Sequence, residues 1–175
     1  MTSDPSTEEI FIENLRSAER VGGRLFQSTQ KLSLVMPISA AEIDRLDDNT
    51  QESVDAFIKR FEQLQDIIEN RLFRGIALLE QEDVYGKSKR DLTLLMEKFG
   101  IIESADKWSL LSMLRNKLAH EYPGDSVKQV ERINEAYNSA QTLIEVLSRL
   151  KQYVIAKKLV HFSESNHEQP ITKNQ

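Results

Sequence analysis

From Val54 to Leu79 the apolar residues Val54, Phe57, Ile58, Phe61, Leu64, Ile68, Leu72, Ile76 and Leu79 recur at intervals of three and four. At 3.6 residues per turn this spacing gathers them on one stripe of an α-helix of about seven turns. A half-buried strand would need alternation every second residue, so a stripe this long commits the chain to a helix with one buried face. Asn49, with Glu52 three residues on, is predicted to cap its start, after the polar linker Asp47-Asp48-Asn49.

The same spacing recurs elsewhere. Phe11, Leu15, Ala18, Gly22, Leu25, Thr29 and Leu32 predict a helix from Glu8 to about Val35, ended by Pro37. Gly22-Gly23 interrupts it and marks either a kink or a place where another backbone comes close. Ser39 to Leu46 reads as a short helical turn. Glu82 to Lys87 reads as a loop, including Tyr85-Gly86-Lys87, which lacks the glycine spacing and preceding strand of a phosphate loop. Ser88 with Asp91 caps a helix carrying Leu92, Leu95, Met96 and Phe99, closed by Gly100. The next helix runs from about Ser104 to Glu121 with Trp108, Leu111, Leu114 and Leu118 inward, and stops before Pro123, which disfavours the α region in its predecessor. After the turn Pro123-Gly124-Asp125, Ser126 with Gln129 is expected to cap the last helix, whose stripe is Val127, Val130, Ile133, Tyr137, Ala140, Ile144, Leu147 and Val154.

Short loops between long helices favour antiparallel neighbours in an all-α, up-and-down bundle. With 175 residues, one domain is expected: a polar N-terminus (1–7) and a polar tail (160–175), both expected to be disordered, an N-terminal helical extension (8–48) and a helical bundle (49–159). Six Gly and four Pro suit long helices better than a turn-rich β fold. The absence of cysteine excludes a disulfide framework and thiolate chemistry, and fits a reducing cytoplasm. Met1 to Glu9 lacks the basic start and apolar run of a signal peptide, and no stretch approaches a membrane span, so no membrane association is expected. A net charge of -5 argues against indiscriminate nucleic-acid binding, so any RNA contact must use a local basic patch.

Of three histidines, His161 and His167 fall in the tail, which leaves His120. Asn116 lies one turn below it, able to hydrogen-bond the ring. Arg115, five residues before, stands about 140° round an ideal helix, so Arg115 and His120 converge only if the helix end frays or a second subunit takes part. No metal site is expected. Glu164 and His167 make a single Glu-x-x-His in a polar tail, where a di-metal bundle needs two pairs and further carboxylates on core helices. Phe57, Phe61 and Phe73 fall largely on helical spacing and are assigned to the core rather than to base stacking. Arg71, Arg74, Lys87, Lys89, Arg90, Arg115 and Lys117 are either a local basic surface or simply a solvated face.

The run Arg115-Asn116-Lys117-Leu118-Ala119-His120-Glu121-Tyr122 resembles the Arg-x4-His-x-Tyr signature of HepT proteins within the HEPN family. The order Phe99-Gly100-Ile101-Ile102, Trp108, Leu114-Arg115-Asn116 is similar to the penultimate helices of HEPN domains that accompany minimal nucleotidyltransferases, and the likeness covers about Asn49 to Lys157. It implies a four-helix HEPN bundle that pairs as a homodimer and cuts RNA without metal or cofactor. His120 would move the proton, Arg115 would hold the phosphate, and Asn116 would orient the ring or touch the phosphate. Arg71, Arg74 and Lys117 are candidate RNA contacts. Tyr122 would accept AMP from a partner MNT nucleotidyltransferase acting as antitoxin. The rival class is a non-catalytic HEPN partner that presents a nucleotide or substrate to such a transferase, and a third is a helical dimerisation protein with no site. The helix from Glu8 to Val35 is additional to the minimal bundle of the family.

Overall fold

The computed structural model describes residues 5–120 and 125–162, and among these all regular structure is helical. Helix α1 spans Thr7–Leu32 and α2 Ala40–Ile43. Helix α3 (Asp48–Ile67) passes through a π-turn at Ile68–Leu72 into α4 (Phe73–Leu79). Helices α5 (Lys89–Lys98), α6 (Ala105–Ala119) and α7 (Ser126–Ala156) follow.

Caps explain where these helices begin. Ser6 and Glu9 form a capping box on α1, so Ser6 and Thr7, assigned above to a disordered N-terminus, are part of the helix and its cap. Asp47, not Asn49, caps α3, because its carboxylate accepts from the Thr50 N–H at 3.1 Å while Glu52 takes no part. Asp125 likewise replaces Ser126 as the cap of α7, accepting from the Lys128 N–H. The Ser88–Asp91 box on α5, the Ser104 start of α6 and the left-handed Gly100 (φ 73°) closing α5 agree with the sequence reading.

Helix α1 packs on α3, α4 and α7, and α6 packs on α3 and α7. Phe11, Leu15, Leu25 and Leu32 of α1 join Phe57, Phe61 and Leu64 of α3 and Ala140, Leu143 and Leu150 of α7 in one apolar cluster. The segment 8–48 therefore shares the core of 49–159. Neither alternative at Gly22-Gly23 holds: α1 runs through the pair unbroken, and what lies close to Gly22 is a side chain rather than a backbone, a Cβ there falling 3.2 Å from Leu147 Cδ2. Gly23 faces open space. On α7 the expected core residue Val127 is exposed, and burial starts at Val130. At the far end Val160 is buried and the His161 N–H bonds Glu8, so the chain is held at least that far, where a disordered tail was expected from residue 160.

The π-turn is the largest departure from the expected regular helix. The Phe73 N–H reaches back five residues to the Ile68 carbonyl instead of four. The extra residue shifts the buried register by one, so Phe73, Ile76 and Ala77 are buried while Leu79 is only partly so. Phe73 then packs against Trp108 of α6 in a tilted ring contact, centroids 4.9 Å apart and planes at 50°.

Candidate functional site

Helix α6 is three-sided. Trp108, Leu111, Leu114 and Leu118 turn to the core, Ser109, Ser112, Arg115 and Asn116 line a cleft against α3 and α5, and Leu110 and Met113 point outward, both more than half exposed. A 15-residue helix with only one buried face would not need this division.

The cleft has a volume of about 230 Å³. Its floor is polar. Glu69, in the π-turn, accepts hydrogen bonds from Trp108 Nε1 (3.2 Å) and Ser112 Oγ, while its other oxygen lies 3.6 Å from Lys89 Nζ. Gln65, 1% exposed, donates to Ser112 Oγ at 3.0 Å. A carboxylate lodged between helices is tolerable only because these donors replace water.

Arg115 and Asn116 are brought together. Arg115 Nη1 donates to Asn116 Oδ1 at 3.2 Å, and Nη2 lies 3.4 Å from Asp66 Oδ1 on α3, which also accepts from Asn70. Asn116 thus pairs with the arginine rather than orienting His120. Arg115 Nε is the one buried side-chain nitrogen or oxygen among the described residues with no hydrogen-bond partner. Burial raises the Glu62 carboxyl above its ordinary range, and Arg115 and Lys59 partly offset this.

His120 stands apart. Helix α6 ends at Ala119, and His120 is its C-cap with extended backbone (φ -101°, ψ 101°) and an exposed side chain that is not in the cleft lining. The helix ends two residues earlier than the Glu121 expected from Pro123. Lys117 is exposed, and its carbonyl accepts from Arg132. Arg71 reaches Asn14 of α1 at 3.5 Å, and exposed Arg74 lies outside the cleft lining. Arg71 and Arg74 therefore do not join Arg115, because the stripe that carries them faces another side of the helix. Tyr122, His167 and Glu164 lie outside the described residues.

Sequence reasoning missed Gln65, Asp66, Glu69 and Ser112 as site residues, and had Lys89 and Arg90 only as part of a basic surface or a solvated face. The available signal was the row Glu62, Asp66, Glu69 at helical spacing along α3 and into the π-turn, which looks like any solvated face until α6 is laid against it. Among the described residues no group of three or more His, Asp or Glu side chains could hold a metal ion, and no helix is long and apolar enough to cross a membrane. No family model, curated protein or solved structure matches the chain.

Proposed function

We propose that this chain is a HepT-like HEPN ribonuclease that cleaves RNA without metal, acting as a homodimer. The observation that carries the reading is the run Arg115-Asn116-x3-His120-x-Tyr122 at the end of a bundle helix, with Arg115 and Asn116 side by side on a polar cleft and His120 exposed at the helix end. In the reaction the ribose 2′-oxygen attacks the adjacent phosphorus, and the P–O5′ bond breaks. His120 takes the 2′-hydroxyl proton or supplies one to the departing O5′, as an imidazole near neutrality can. Arg115 offsets charge building on the phosphoryl oxygens. The products are a 2′,3′-cyclic phosphate and a 5′-hydroxyl, and DNA is left intact. Leu110 and Met113, outward on the same helix, supply an apolar surface for a second copy, which would bring two such helix ends together. Modification of Tyr122 with AMP by an MNT nucleotidyltransferase would add negative charge and bulk two residues along the chain from His120 and would block cleavage.

The test is incubation of purified protein with total RNA in EDTA beside His120→Ala and Arg115→Ala, with analysis of fragment ends. Wild type should cut to cyclic-phosphate ends, and each substitution should slow cutting by about 100-fold or more. Intact RNA from a preparation that mass spectrometry shows to be unmodified at Tyr122 would overturn the reading. One observation favours a second reading, a non-catalytic HEPN partner that binds a nucleotide or substrate for a transferase: Arg115 is tied to Asp66 and Asn116, while His120 is outside their cleft.

A further inference from the structure

Three signals of different origin meet on the cleft between α3, α5 and α6. Of the buried polar side chains Ser28, Gln65 and Thr93, the last two line it. The long helix leaves α geometry at Ile68–Leu72, and Glu69 and Asn70 from that turn belong to the lining. Arg115, whose buried Nε–H lacks an acceptor, belongs to it as well. A contact needed only for stability would be filled with aliphatic side chains, because buried polar groups cost free energy unless each is bonded. An orphaned donor, a π-turn and a polar floor together are the marks of a surface shaped for a ligand.

The lining defines the ligand's chemistry. The partly exposed guanidinium of Arg115 and the ammonium of Lys89, both in the lining, call for an oxyanion. Asp66 and Glu69 repel a bare anion but accept from hydroxyl groups, so the ligand carries both an anion and O–H donors. A volume of about 230 Å³ accommodates one sugar-phosphate unit. We propose that this cleft binds a ribose phosphate unit, with phosphate on Arg115 and Lys89 and ribose hydroxyls on Asp66 and Glu69. That the unit belongs to an RNA strand rests on the ribonuclease reading. The cleft itself does not depend on it, since a free nucleotide carries the same group.

The protein holds its own reporter. Trp108 is the sole tryptophan, and its Nε1–H bonds Glu69 in the cleft floor, so a ligand on Glu69 should change its emission. The full chain carrying His120→Ala, which keeps RNA intact, is titrated with inorganic phosphate, ribose 5-phosphate, AMP and a short single-stranded RNA. Calorimetry alongside keeps a spectroscopically silent event visible. Saturable binding is expected, with ribose 5-phosphate at least about tenfold tighter than inorganic phosphate and the RNA tightest. Lys89→Met and Asp66→Asn, both at partly exposed side chains, should each weaken binding by about tenfold, and Lys89→Arg should largely restore it. No saturable binding, equal affinity for inorganic phosphate, or affinities unmoved by both substitutions overturns the proposal. AMP binding as tightly as RNA overturns the assignment to an RNA strand. Cleavage by the chain with His120 intact separates the two ideas: binding without cleavage is failure of the ribonuclease reading alone, and cleavage without binding is failure of the cleft alone.

Discussion

Helix α3 and the π-turn that extends it have two sides that differ in almost every respect. Toward α1 and α7 they present Phe57, Phe61, Leu64 and Ile68, all fully buried and apolar. Toward α6 they present Asp66, Glu69 and Asn70, with the buried Gln65 between. The first side is held by area removed from water, at about 25 cal/mol per Å², and tolerates no charge. The second is held by directed bonds, Glu69 to Trp108 and Ser112 and Asp66 to Arg115, which contribute less net stability because water must be given up to make them. The comparison separates what folds this chain from what it can recognise.

Phe61→Ala strikes the apolar side hardest. It should lower unfolding free energy by about 3–5 kcal/mol in denaturant titrations, and a loss below about 1 kcal/mol would mean that this seam is not the centre of the core. Gly75→Ala tests the same side by crowding: an added Cβ would lie 2.7 Å from Cδ2 of the buried Phe11, and moving that ring should cost about 1–3 kcal/mol. Gly23→Ala, in open space on α1, should instead stabilise by about 0.5–1 kcal/mol, so equal effects at the two glycines would contradict the packing described.

The smallest effect belongs to the polar side and depends on pH. Burial raises the Glu62 carboxyl above 4.5, so the folded chain holds this proton more tightly than the unfolded one. Its contribution is therefore full below about pH 4.5 and lost as pH rises through the folded value, which leaves a cost at neutrality. Glu62→Gln should be slightly more stable than wild type at pH 7 and lose that advantage below pH 4, as thermal melts across the range would record. An advantage independent of pH would assign the effect to packing.

The two sides also differ in how far they could be read from sequence. The stripe from Val54 to Ile76 announced its helix because apolar spacing has one common explanation. The extra turn residue escaped notice, since Leu72 and Phe73 are both apolar and either register satisfies the pattern. Asp47 outcompeted Asn49 as the cap through a local bond that spacing cannot rank. Arg115, Asn116 and His120 stood out as a motif along the chain, but Gln65, Asp66 and Glu69 are some 40–50 residues away from Ser112 and Arg115, and only the packing of α6 on α3 brings them together. His120 went the other way: sequence placed it over Asn116, and the early end of α6 carried it out of the cleft.

The π-turn has a consequence for how the chain tolerates insertion and deletion. Losing one residue inside an ordinary α-helix rotates everything beyond it by about 100° and turns the buried face to solvent. Between Ile68 and Leu72 the loss would instead return the Phe73 bond from five residues to four and leave Phe73, Ile76 and Ala77 facing inward. The core of this helix should therefore accept two lengths of sequence, the shorter one lacking a residue of the turn between the buried Ile68 and Leu72.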